Sequence, residues 1–175
     1  RELTTVHVAN SLPELDELPQ LMGNEGEEIE LTATFSDIAW LDSHLAFVDF
    51  GVGTLPEIAE LKEINEAPAT TGQLTAKHTY CDNGIFIVTV ILKDQQGGEA
   101  RKETQAMIEN VPPVVEVGED VFSHPCVPIR FEGYFEDIGW CDTHIGTWDF
   151  GDCSPLFPAT IEETHEAPKA IGYAI

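Results

Sequence analysis

The chain has 175 residues, enough for one large or two small domains, and carries a formal net charge of −24 from 32 acidic and 8 basic residues. That balance repels nucleic acid and anionic membrane surfaces and leaves cations as the natural counterpart. No apolar run approaches the roughly 18 residues that span a bilayer, and the chain, opening at Arg1 without a signal-peptide pattern, reads as a piece of a longer exported protein.

In chain order, Thr4 to Asn10 parallels Thr104 to Asn110 and reads as the trailing strand of a preceding copy, covering residues 1–9. With the lettering of an immunoglobulin-like sandwich, strand A is expected at about 12–18 and B at 27–35, where Ile29 to Phe35 alternates apolar and polar residues. Strand C is expected at 44–50 and E at 70–78, and the acidic stretch Pro56 to Leu61 reads as an excursion between strands. F at 84–93 holds the β-branched run Ile85 to Leu92, and G follows at 99–109. Asp82-Asn83-Gly84 and Asp94 to Gly98 supply turns, the second closing a hairpin. Val111-Pro112-Pro113 stiffens a short connection.

Laid on itself with an offset of 100, the chain matches without a gap. Phe35, Asp37, Ile38, Trp40, Asp42 and His44 recur as Phe135, Asp137, Ile138, Trp140, Asp142 and His144, and Asp49-Phe50-Gly51 as Asp149-Phe150-Gly151. Glu66-Ala67-Pro68 and Gly72 recur as Glu166-Ala167-Pro168 and Gly172, and Asn10 as Asn110. The expected organisation is a complete domain over 10–109 and a shortened copy over 110–175, which makes the fold class all-β, tandem immunoglobulin-like β-sandwiches with the second incomplete.

The motifs that carry this register are Phe35-Ser36-Asp37, Trp40-x-Asp42-Ser43-His44, Phe47 to Gly51, His78-Thr79-Tyr80 and Asp82-Asn83-Gly84, with Thr147-Trp148-Asp149-Phe150-Gly151-Asp152 in the second copy. The module resembles the PKD (polycystic kidney disease) domain in its bacterial and archaeal tandem form. Val48, Val52 and Cys153 depart from the family's Trp-Asp-Phe-Gly-Asp-Gly pattern, which bears on turn geometry more than on fold. The resemblance implies a non-catalytic extracellular β-sandwich, and an architectural role for His78 and for Tyr80, the latter in the manner of a tyrosine corner.

In that topology Asp37, Asp42 and Asp94 fall at one end of the sandwich, where Asn10 enters. The corresponding residues of the second copy are Asn110, Asp137 and Asp142. Two readings stand. Carboxylates from separate loops with an amide oxygen suit calcium, and the resemblance supports this, since some PKD domains of secreted bacterial enzymes bind calcium at this end through matching residues. Alternatively Asp37 and Asp42 are turn formers that bond nearby backbone N–H groups. Asp42-x-His44 and Asp142-x-His144 offer too few donors for a transition metal and point to structural hydrogen bonding.

The lettering lets Cys126 meet Cys153, and Cys81 meet Cys141 as a staple between modules; the competing reading pairs Cys126 outside the chain and leaves Cys153 free. Trp40, Trp140 and Trp148 are either packing groups or a carbohydrate platform. Asp-Phe-Gly occurs twice, but without a glycine-rich loop or a His-Arg-Asp motif it is a strand end, and no Gly-x-Ser-x-Gly or His-Glu-x-x-His is present.

These readings converge on a structural or adhesive repeat segment of a secreted or cell-surface prokaryotic protein: a stalk, filament or matrix component and not an enzyme. Its expected partners are neighbouring repeats or identical subunits, the latter through β-strand complementation, with a protein or polysaccharide surface as a further partner. The alternative is an accessory substrate-binding module of a secreted hydrolase.

Overall fold

Alternating apolar and polar side chains over Glu28–Asp37, and β-branched residues over Gly84–Asp94, favour pleated strands with one buried face. A computed structural model describes residues 4–175, which contain strands and no helix; no helix is therefore long and apolar enough to cross a membrane. The chain divides into two compact units. One comprises Arg1–Gly23, Glu28–His78 and Ile85–Met107, and the other Asn24–Glu27, Thr79–Gly84 and Ile108–Ile175.

The strands of the first repeat are β1 (Glu14–Leu15), β2 (Leu21–Asn24), β3 (Glu28–Asp37), β4 (His44–Asp49), β5 (Glu57–Ile58), β6 (Glu60–Glu66), β7 (Ala69–Thr79), β8 (Gly84–Asp94) and β9 (Glu99–Glu109). One sheet has the order β1-β3-β7-β6 and the other β2-β9-β8-β4-β5. This is the strand arrangement of an immunoglobulin-like sandwich. Leu31, Phe35 and Leu74 from one sheet and Val48, Val90, Leu92 and Ala106 from the other are almost wholly buried and form the core between them.

Two expectations change. The stretch Pro56 to Leu61 is not an excursion but holds β5 and the start of β6, and β5 pairs with β4 through Phe47↔Ile58 and Val48↔Glu57. The acidic residues there are the outward face of edge strands, which a composition argument takes for a loop. Residues 4–13 form no strand, and 4–10 are exposed, because no partner strand lies beside them; residues 1–3 of the expected trailing strand lie outside the described residues.

In the second repeat β10 (Val114–Glu116), β11 (Gly133–Asp137), β15 (Ala170–Ala174) and β14 (Ile161–Thr164) make a sheet in the order β10-β11-β15-β14, which matches β1-β3-β7-β6. The pair β12 (Thr147–Trp148) and β13 (Phe157–Pro158) matches β4 and β5. Register is reproduced residue for residue: Glu63↔Gly72 and Ile64↔Thr71 recur as Glu163↔Gly172 and Thr164↔Ile171. The Ala67-Pro68 and Ala167-Pro168 bonds are both cis. Both glycines are required by packing, since a Cβ on Gly72 would stand 2.5 Å from the Phe35 ring and one on Gly172 would stand 2.1 Å from that of Phe135. The fold is thus a tandem of immunoglobulin-like β-sandwiches, the second carrying the smaller second sheet.

Candidate metal sites

The first acidic group is built where β3 ends, β4 begins and β8 ends. Asp37 closes β3, Asp94 closes β8 opposite His44 of β4, and Asp42 sits in the intervening turn, fixed by its N–H donating to the Ala39 carbonyl at 2.8 Å. All three are buried, and each has a carboxylate oxygen within 4.8 Å of the others.

Two of the three carboxylates are largely spent on protein donors. Asp37 Oδ1 accepts from the Ala39 N–H at 2.7 Å and the Ser11 hydroxyl at 2.9 Å. Asp94 Oδ1 accepts from the N–H groups of Gln96 and Gly98 at 2.8 and 2.7 Å, and its Oδ2 from the Asn10 amide at 2.7 Å. Burial pushes the Asp94 pKa up, but these donors outweigh it and hold the carboxyl below its ordinary value. Of the two aspartates expected as turn formers, Asp37 bonds a backbone N–H and Asp42 does not, whereas Asp94, outside that expectation, bonds two; Asn10 turns its amide nitrogen, not its oxygen, to the group. Asp42 is different. Its Oδ1 accepts from the Gln96 side chain at 2.9 Å, while its Oδ2 is buried with no hydrogen-bond partner. An all-oxygen group with one unspent buried oxygen fits a hard cation.

His44 is committed elsewhere. Its Nδ1 lies 2.7 Å from Glu63 and its Nε2 3.1 Å from Asp37, with the ring tilted against Phe35. His144 repeats this with Glu163 at 2.6 Å, Asp137 at 2.9 Å and Phe135 beneath. Burial opposes a charge on His144, but its two carboxylate partners outweigh that and raise its pKa above the ordinary 6.5. Neither imidazole is open to a transition metal. Glu63 and Glu163 went unnoticed in the sequence, although they recur at the same offset of 100 as the residues that were singled out.

In the second repeat the expected set of Asn110, Asp137 and Asp142 does not form as such. Asn110 is exposed, and Asp137 is spent on the Gly139 N–H at 2.8 Å and on His144. Asp142 instead groups with Glu25 and Asp82, neither of which the repeat pattern marks. The donors on Asp137 are the same pair that Asp37 carries; what differs is that the turns 24–27 and 79–84 belong to the same compact unit as Asp142 and bring Glu25 and Asp82 to it.

Cys81 and Cys141 form a disulfide with Cα atoms 5.3 Å apart. Cys126 and Cys153 do not pair. Both are exposed free thiols on turn residues with φ of 66° and 67°, where no packed strand brings them together. Asp49 and Asp149 each accept the N–H of Gly51 and Gly151 at 2.9 Å, and a Cβ on Gly51 (φ 77°) would meet the Ile87 carbonyl at 2.6 Å, so these motifs shape turns. His78 stacks on Phe50 with ring centroids 4.6 Å apart, and Tyr80 is buried. Trp40 is partly exposed and Trp140 half-buried. Trp148 packs with Phe131 and Phe150 along an apolar cleft of about 660 Å³ in the second unit, also lined by Val115, Phe135 and Ile161.

No family model matches the chain, and no curated protein matches it. Among solved structures it is similar to the BIgI domain of beta protein from S. agalactiae bound to CEACAM1, at 18% identity over 57% of this chain and 99% of that one, with a TM-score of 0.34. It is also similar to murine CRIg, at 12% identity over 58% of this chain and 100% of that one, with a TM-score of 0.28.

Proposed function

We propose that the chain is a non-catalytic segment of PKD-like repeats from an extracellular or cell-surface protein, serving as a stalk, filament or matrix element. The observation that carries this reading is the duplication of architecture, packing and hydrogen-bond networks from one repeat to the next. What recurs at the offset of 100 is the Phe35–Gly72 packing, the Asp37–His44–Glu63 network and the Asp49–Gly51 turn, all of them groups that hold strands together. His44 and His144 are each held between two carboxylates, an arrangement that fixes the imidazole between strands. The first unit is read as a calcium site at Asp37, Asp42 and Asp94, because Asp42 Oδ2 is the buried oxygen that nothing else satisfies.

Passing the purified chain over cellulose, chitin and collagen tests the role: the structural reading expects it in the flow-through. Retention on any of them, competed by the soluble ligand, would overturn it in favour of an accessory module that anchors a hydrolase to its substrate. Calcium added to chelator-stripped protein is expected to raise the melting temperature of wild type more than that of Asp42→Asn.

A further inference from the structure

Glu25, at the turn between β2 and β3, is a charged residue with 0% of its surface exposed. Its Oε1 accepts the Val111 N–H at 2.7 Å, and its Oε2 is buried with no hydrogen-bond partner. Asp82, from the turn between β7 and β8, and Asp142, from the turn after β11, bring carboxylate oxygens within 4.8 Å of it and of each other. Burying a carboxylate beside two more, with one oxygen unsatisfied, is costly unless something positive or protic stands between them.

Among the described residues, Glu25 Oε2 finds no such group. Burial is the largest influence on Glu25 and raises its pKa; the Val111 N–H opposes it, and the charges of Asp142, Asp137 and Asp82 raise it further. Asp142 is raised by burial and by Asp82 and Asp137, with only His144 acting the other way. No lysine or arginine is among the groups that act on either.

The site is also shaped for Glu25. Gly139 lies against its carboxylate so closely that a Cβ there would stand 2.7 Å from Cδ, 2.9 Å from Oε1 and 3.0 Å from Oε2. The residue at this place in the first repeat is Ala39, so the glycine that lets the Glu25 carboxylate lie this close is present only in the second. The turn itself is held by the Glu25 N–H donating to the Glu109 carbonyl at 3.1 Å and the Gly26 N–H to that of Tyr80 at 2.8 Å. Finally, Asp82 and Asp142 each directly follow a half of the Cys81–Cys141 disulfide, which fixes their backbones side by side.

We propose that Glu25, Asp82 and Asp142 hold a divalent cation of the hard, oxygen-seeking class, calcium, in a second site that the disulfide and Gly139 preorganise. Three carboxylate oxygens this close lie inside the roughly 5 Å that two calcium–oxygen bonds of about 2.3–2.6 Å bridge. The ion would satisfy Glu25 Oε2 and cancel the repulsion among the three acids, and water or backbone carbonyls would complete its shell. This site uses none of Asp37, Asp42 or Asp94, so it stands or falls separately from the calcium reading of the first unit.

The test is calcium chloride titrated calorimetrically into the full, chelator-stripped, oxidised chain in about 0.1 M salt, where diffuse counterion binding is screened. The variants are Glu25→Gln, Gly139→Ala and Asp42→Asn, with the Val111 amide followed by NMR as a local reporter. Two bound ions are expected in wild type. Glu25→Gln should lose one of them, with the Val111 shift; Gly139→Ala, which keeps every charge, should weaken the same site roughly tenfold; Asp42→Asn should lose only the other. A single ion that survives Asp42→Asn and vanishes in Glu25→Gln supports this site and overturns the first. If Glu25→Gln binds as many ions as wild type with unchanged affinity, or if acidification alone and not calcium moves the Val111 amide, a shared proton holds the cluster and the proposal is wrong.

Discussion

The Cys141 N–H donates to the Cys81 carbonyl at 3.1 Å, so these two residues are joined through their backbones as well as through sulfur. Their sequence separation is 60, and by the chain-entropy argument closing such a loop removes about 4 kcal/mol of unfolded-state freedom. Paired replacement of Cys81 and Cys141 by serine should therefore lower the stability of the second unit by up to about 4 kcal/mol in urea unfolding. Calcium affinity at the Glu25 site should fall with it, because Asp82 and Asp142 lose their common tether. Equal calcium affinity in oxidised and reduced protein would show that the tether does not position them.

Cys126 and Cys153 are exposed thiols. Alkylation of the native, unreduced chain should add two groups, at these residues only, with the Cys81 and Cys141 peptides recovered still joined. A Cys126–Cys153 linked peptide would contradict the structure.

His144 sets a pH dependence. Because its partners Asp137 and Glu163 raise its folded pKa above 6.5, its contribution to stability is complete below pH 6.5 and is lost as pH rises through the raised value. Glu25 and Asp142, raised by burial and by neighbouring carboxylates, lose stability earlier, as pH climbs above their ordinary 4.5 and 3.8 through their own raised values. The calcium-free second unit should accordingly melt at a lower temperature at pH 8 than at pH 5. Glu163→Gln should shrink the part of that change above pH 6.5, which an NMR titration of the His144 ring would follow independently.

Gly72→Ala should cost about 1–3 kcal/mol, since its methyl meets the Phe35 ring at 2.5 Å and the Lys62 carbonyl oxygen at 3.0 Å. Combined with Phe35→Leu the two losses should add to less than their sum, because the smaller side chain makes room. Strict additivity in urea unfolding would mean that the pair is not in contact.

Much of this was legible in the residues alone. The offset of 100 exposed the tandem, and Asp37, Asp42 and Asp94 were placed together because strand lettering assigns their loops to one end. Cys81 and Cys141 followed from the same lettering. Cys126 and Cys153 did not, because a loop's place in a topology says nothing of whether anything packs there. Glu25 was invisible for a different reason: its counterpart at the offset is Pro125, so a comparison of copies discards it. Burial, not pattern, identifies it. β5 and β6 were missed because edge strands with acidic outward faces lack the apolar alternation that marks β3.

The contrast between Ala39 and Gly139 means that the two modules are not interchangeable parts. Grafting the Asp37-to-His44 loop of the first module onto the second would set the Ala39 methyl against the Glu25 carboxylate and put Leu41 in the place of Cys141, so the Glu25 site would lose its close-fitting glycine and its disulfide together. What sets the second loop apart is thus two small substitutions, a missing methyl at 139 and a sulfur at 141.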